Sequence, residues 1–374
     1  MACLSSVPNG VSSPVALRAR RLPLLMLGAV SLMAGLLTGL ARLGVPVPLL
    51  EDGAAGLALL HGPLMVGGFF GTVIGLERAA ALGRAWVYGG PLATGLGGVL
   101  LAVGAPVAMG AGLMAFGAAI LTAASVMVWQ GHRAGFTAVM AGAAACWLLG
   151  TLLWLAGVPV AGVVLWWLLF LVLTIAGERL ELSRFRPPSR WAVPAFAVTV
   201  GALVLGAALV PLAGDAGWRL AGAGMLALAG WLARFDIARR TVRGVGLVRY
   251  VALCLLTGYG WLAVGGALAL AGGDPVGGPL YDAVLHAVFL GFVLAMVFGH
   301  APVILPAVLR VAVPYRPALY LPLAVLHGGV ALRVGGVLAD DILLRQAGAL
   351  TNGAALVLFI ATMLTTILMG RRAA

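Results

Sequence analysis

The sequence predicts an all-α, polytopic integral membrane protein: one bundle of about twelve transmembrane helices with both termini cytoplasmic. Composition is the first reason. The chain has 374 residues, 63% hydrophobic and only 9% charged, with a mean hydropathy of +1.12. No water-soluble domain hides that much apolar surface. Segment length is the second, because apolar runs recur at the ~20 residues that a ~30 Å hydrocarbon core demands. The placement of arginine is the third, and it fixes the direction in which the helices run.

Cutting the chain at its Gly, Pro and Arg clusters gives spans near 22–42, 56–76, 86–104, 107–129, 135–156, 159–177, 191–213, 217–234, 247–271, 280–304, 316–336 and 344–369. Residues 1–21 form a short cytoplasmic segment, and 22–370 form a single transmembrane domain. The first span follows Arg18, Arg20 and Arg21 as a signal peptide would. Its length and the lack of a small-residue cleavage site favour a retained helix. The turns Gly104-Ala105-Pro106 and Gly157-Val158-Pro159 are tight enough to force antiparallel hairpins. The longest cytoplasmic connection, Glu178 to Arg190, carries Pro187-Pro188 and reads as a short charged loop.

With the N-terminus inside, the cytoplasmic side holds all the arginines except Arg42, Arg219, Arg333 and Arg345. That alternation is what the positive-inside rule requires. It also explains the net charge of +12 without any nucleic-acid partner. Fifty-five glycines are spread through the helices. In lipid, small residues let backbones approach closely, so these are packing surface rather than phosphate loops. No Walker motif is present. Cys3, Cys146 and Cys254 form no spaced set, and the last two read as small core residues. Glu77-Arg78 and Glu178-Arg179 end helices four apart, a faint hint of four-helix units.

Ionisable side chains inside a membrane are costly and mark function by default. His132 lies in a cytoplasmic turn. His61 is ~7 Å and His286 ~9 Å below the outer edge at 1.5 Å per residue, His327 ~14 Å, and His300 belongs near the cytoplasmic end. Helical spacing puts His61, Met65, Gly68, Thr72 and Gly75 on one stripe, and His286, Leu290, Val293, Val297 and His300 on another. A histidine beside a glycine-rich stripe leaves room for a flat macrocycle. Equally, each histidine could donate to a carbonyl and only help pack the bundle. The acidic residues, Glu51, Asp52, Asp215, Asp274, Asp282, Asp340 and Asp341 among them, lie in loops or at helix ends. This argues against a mid-membrane carboxylate relay.

The run Leu60-His61-Gly62-Pro63-Leu64-Met65-Val66-Gly67-Gly68-Phe69-Phe70 resembles the second helix of haem-copper oxidase subunit I. The stretch from His286 to Phe298 resembles that family's tenth helix. The resemblance implies a low-spin haem b between His61 and His286, with Arg333 and Arg345 near its propionates. Departures accompany it. Helices 6 and 7 carry no histidine, and Val284 stands where the oxidases place the ligand of their oxygen-reducing haem. The chain is also similar to the NnrS family, twelve-span haem- and copper-binding proteins linked to nitric-oxide stress, through the helix-10 stretch His286 to His300 with Gly299-His300-Ala301-Pro302.

Two readings follow. One is a bacterial inner-membrane haem protein in electron transfer or nitric-oxide stress, supplied by a quinol or an electron-donor protein. Here Asp282 orients His286, and His327 and His300 are candidates for a second metal such as copper. The other is a cofactor-free transporter or channel, with His300 and His327 lining a route and Pro302, Pro306, Pro314, Pro317 and Pro322 marking broken helices. Whether the chain is an enzyme, and its oligomeric state, stay open.

Overall fold

A computed structural model of the protein describes residues 14–48, 54–183 and 190–373. Glu51, Asp52, Arg184, Arg186, Pro187-Pro188 and Cys3 lie outside the described residues. No strand occurs among the described residues. The long helices are α1 Pro14–Arg42, α2 His61–Leu82, α3 Ala85–Ala102, α4 Val107–Gly131, α5 Gly135–Leu155, α6 Val160–Ser183, α7 Ala192–Leu209, α8 Gly214–Phe235, α9 Gly246–Gly272, α10 Pro279–Leu309, α11 Pro317–Leu338 and α12 Ile342–Ala373.

Eleven of these are long and apolar enough to cross a membrane, as in a multi-pass membrane protein. The exception is α8. Its 22 residues are long enough, but Asp215, Arg219, Arg234 and several glycines dilute its apolar average. The charges sit at its ends. Arg219 Nε donates to Asp215 at 2.8 Å, and its Nη1 donates to the carbonyls of Leu270 and Ala271 at the end of α9.

Consecutive helices pack side by side through small residues. A Cβ on Gly206 would lie 2.6 Å from the Ala221 backbone nitrogen, and one on Gly222 only 2.5 Å from that of Leu270. These approaches maximise dispersion contact where lipid offers no hydrophobic drive. Gly104 (φ +79°) and Gly157 (φ +95°) close the two expected hairpins.

The core is α6. From Val163 to Leu173 it is apolar all round and almost wholly buried, which is the pattern of a central helix. It touches α5, α7, α8, α2 and α10. The helices at the middle of the bundle, α2, α6 and α10, are thus spaced four apart along the chain. That matches the spacing hinted at by the Glu-Arg pairs.

Two departures from the sequence expectation matter for the site. The apolar run before His61 is broken. A short helix Ala54–Ala58 ends in a turn, and His61 opens α2 rather than lying inside it. Both α2 and α10 also change pitch, with Leu64–Gly71 and Ala287–Leu294 each wound as π-helix. Each π segment begins within three residues of a histidine. Such i→i+5 turns are rare and concentrate at functional sites. In α10 the helix runs on through Pro302 and Pro306 to Leu309, unbroken.

Candidate functional site: a two-histidine cavity

The structure brings His61 and His286 together. Their ring centroids are 6.0 Å apart with planes inclined by 24°. His61 Nδ1 lies 2.7 Å from the Gly35 carbonyl on α1. His286 Nδ1 lies 2.8 Å from the Asp282 carbonyl one turn earlier, and 3.1 Å from Asp282 Oδ1. A carbonyl only accepts, so in each neutral ring Nδ1 carries the proton. The lone pair of each Nε2 is therefore free in the cavity that both rings line.

The cavity measures about 230 Å³. Its walls follow the π pitch. On α2 they are His61-Gly62, Met65-Val66 and Phe70. On α10 they are Leu285-His286, Phe289-Leu290 and Leu294. The two helices present the same spacing, four residues and then five, as ~4.4 residues per turn requires. Trp167 of α6 closes the centre.

This pitch overturns part of the stripe reading. Gly68 does not line the cavity. A Cβ there would meet Ser31 Oγ at 2.6 Å and the Gly98 Cα at 3.3 Å, so Gly68 is a close approach of α2 to α1 and α3. Thr72 bonds Thr94, and Gly75 packs on Pro91. The glycine surface that seats an imidazole is instead on α1. A Cβ on Gly39 would lie 2.6 Å from His61 Nδ1.

Cations crowd one end of the cavity, where Arg42, Arg333 and Arg345 all line it. Arg333 is committed. Its Nε and Nη2 donate to Asp282 Oδ2 and Oδ1 at 2.9 and 2.6 Å, a bidentate fork. Arg345 is not. Its Nε is buried with no hydrogen-bond partner, an unmet donor of the kind that calls for an acceptor. Arg42 and Tyr281, both in this wall, were not singled out by sequence reasoning. The only available sign was Arg42 as one of the few arginines on that side.

The family described as Domain of unknown function (DUF8744) matches residues 21–368. The chain belongs to that family. No curated protein and no solved structure matches it.

The remaining histidines have other partners. His300 Nδ1 donates to the Met296 carbonyl, and its Nε2 accepts from Arg179 Nη2 at 3.2 Å. Its ligating lone pair is therefore used. His327 Nδ1 accepts the Trp261 indole N–H at 3.0 Å, which leaves Nε2 protonated and unable to bind a metal. The second-metal expectation for His300 and His327 does not fit these bonds. Among the described residues no three His, Cys, Asp or Glu side chains form a metal cage. A haem needs no such cage, since the porphyrin supplies four nitrogens and the protein only the axial ligands. His132 is exposed at the end of α4, and Cys146 and Cys254 are buried and free, as expected.

Proposed function

We propose that this protein is a bacterial inner-membrane haem b protein that carries electrons, with His61 and His286 as axial ligands. The carrying observation is the pair of imidazoles with both Nδ1 atoms engaged and both Nε2 atoms free in one cavity. A metal–imidazole bond of ~2 Å places the centroids of two rings on opposite sides of one ion ~6 to 6.5 Å apart. The observed separation is 6.0 Å. Hydrogen bonding of the far nitrogen to a carbonyl or carboxylate is the usual support of a ligating histidine.

The rest of the cavity suits the same group. The apolar walls would face a macrocycle, and Arg345 with Arg42 would offer charge to its propionates. Arg333 is engaged with Asp282 and contributes mainly through that pair. The cavity is smaller than the ~300–1,000 Å³ of common ligand sites. A haem would need part of the space now filled by Met65 and Leu290, and of the two the unbranched Met65 thioether repacks readily.

A haem with both axial positions filled by protein supplies one-electron exchange rather than ligand activation. His61 and His286, oriented by the Gly35 and Asp282 carbonyls, would hold it, and Phe70, Phe289 and Trp167 would keep water away. The electron source is a quinol or a donor protein, and the site lies toward the non-cytoplasmic face. On this reading α8 also crosses the bilayer, giving twelve spans with both termini cytoplasmic. The resemblance to haem-copper oxidase subunit I and the NnrS family supports the ligand assignment, without their copper centre.

Absorption spectroscopy of the variants tests this. His61→Ala and His286→Ala should each abolish the low-spin haem band, whereas His327→Ala should keep it. Unchanged spectra in both ligand variants would sink the assignment.

A further inference from the structure

The two imidazoles are not equivalent. His61 Nδ1 has the neutral Gly35 carbonyl as its hydrogen-bond acceptor. His286 Nδ1 donates to the Asp282 carbonyl at 2.8 Å and also has the Asp282 carboxylate oxygen Oδ1 at ion-pair distance, 3.1 Å. The same Oδ1 receives Arg333 Nη2 at 2.6 Å, and Oδ2 receives Arg333 Nε. All three side chains are largely buried, with 15, 16 and 9% of their surface exposed for His286, Asp282 and Arg333. Water therefore screens this chain of charges weakly. The other charged groups lining the cavity are Arg42 and Arg345.

We infer that the Asp282–Arg333 pair is a positioning device that sets the redox potential of the group held by His286. This rests on the haem reading and extends it. A carboxylate at Nδ1–H draws that proton away and makes Nε2 a stronger donor. A stronger donor favours the oxidised iron. Arg333 opposes this by holding the same carboxylate in a bidentate fork, the strongest common form of charge-assisted hydrogen bond. The potential then depends on how much of the carboxylate's charge, held by Arg333, acts on the His286 Nδ1–H 3.1 Å away. Tying α10 to α11 is the structural role of the pair, and that role alone would leave the potential unmoved.

The test uses the full haem-loaded chain in detergent, poised with mediators at the potential where wild type is half reduced. Asp282→Asn keeps an acceptor of the same shape without charge. It should raise the reduced-to-oxidised ratio about tenfold, equivalent to ~59 mV for one electron. Arg333→Gln leaves the carboxylate wholly to His286 and should lower the ratio about tenfold. The double variant should return within about threefold of wild type. The ferric low-spin electron paramagnetic resonance spectrum reads the hydrogen bond apart from plain charge, and its g spread should widen in Asp282→Asn. Ratios within twofold of wild type in both single variants, or an unmoved g spread, overturn the inference while the haem reading stands. A wild-type protein that takes up no haem overturns both. Should Arg333→Gln fail to fold, the near-isosteric Asp282→Asn decides alone.

Discussion

Gly39 provides the sharpest test of how α1 shapes the site. An alanine Cβ there would lie 2.6 Å from His61 Nδ1 and 2.7 Å from Cε1. Ordinary contact begins near 3.4 Å, so the ring must retreat by roughly 0.8 Å. The ring cannot move that far and keep its 2.7 Å hydrogen bond to Gly35. Metal–ligand distances tolerate only ~0.2 Å. Overpacking of this kind costs ~1–3 kcal/mol, which corresponds to about 5- to 150-fold in haem affinity. The assay is haem titration of purified Gly39→Ala against Gly112→Ala. A Cβ at Gly112 meets nothing within 4 Å, so that variant should match wild type. Wild-type affinity and an unchanged low-spin spectrum in Gly39→Ala would refute the reasoning.

Three further outcomes are expected. Asp236 is fully buried, caps the Ala238 nitrogen and accepts the Tyr259 hydroxyl beside Arg179. Asp236→Ala should therefore destabilise the detergent-solubilised protein by ~3–5 kcal/mol, and Tyr259→Phe by ~1.5–3 kcal/mol, read from thermal unfolding. Gly222→Ala should cost ~1–3 kcal/mol by prising α8 from α9, whereas Gly230→Ala has open space and should stabilise its helix by ~1 kcal/mol. Leu212 and Val245 flank α8 and are exposed. In a chain without its native cysteines, Leu212→Cys should react with an impermeant thiol reagent in intact cells and Val245→Cys should not. Labelling of both would place α8 outside the membrane.

Hydropathy made eleven of the helices legible because each is long and apolar enough to cross a bilayer, and most of them stop at or near Gly, Pro or Arg. The expected 107–129 and 135–156 became Val107–Gly131 and Gly135–Leu155. Depth arithmetic put His61 and His286 level, and they meet although His61 opens its helix rather than lying inside it. The facing residues were not legible. A 3.6-residue pitch assigns Gly68 and Val293 to the cavity, but the π-helical segments rotate both away and bring in Phe70, Phe289 and Leu294. Nothing in the local sequence announces a π-helix. Asp282 was readable as a partner of His286 because it lies one turn away on the same helix. Its fork to Arg333 joins residues 51 apart and needed the fold. Asp236 looked like an ordinary helix-end acid, and only packing shows it fully buried among Tyr259 and Arg179.

The most direct measurement is a dithionite-reduced-minus-oxidised absorption spectrum of the detergent-purified protein, with iron analysis of the same sample. The haem assignment predicts a sharp low-spin band and about one iron per chain, both lost in His61→Ala and His286→Ala. A colourless, iron-free protein from cells given ample haem would contradict it, and would leave the paired histidines as bundle packing in a cofactor-free carrier.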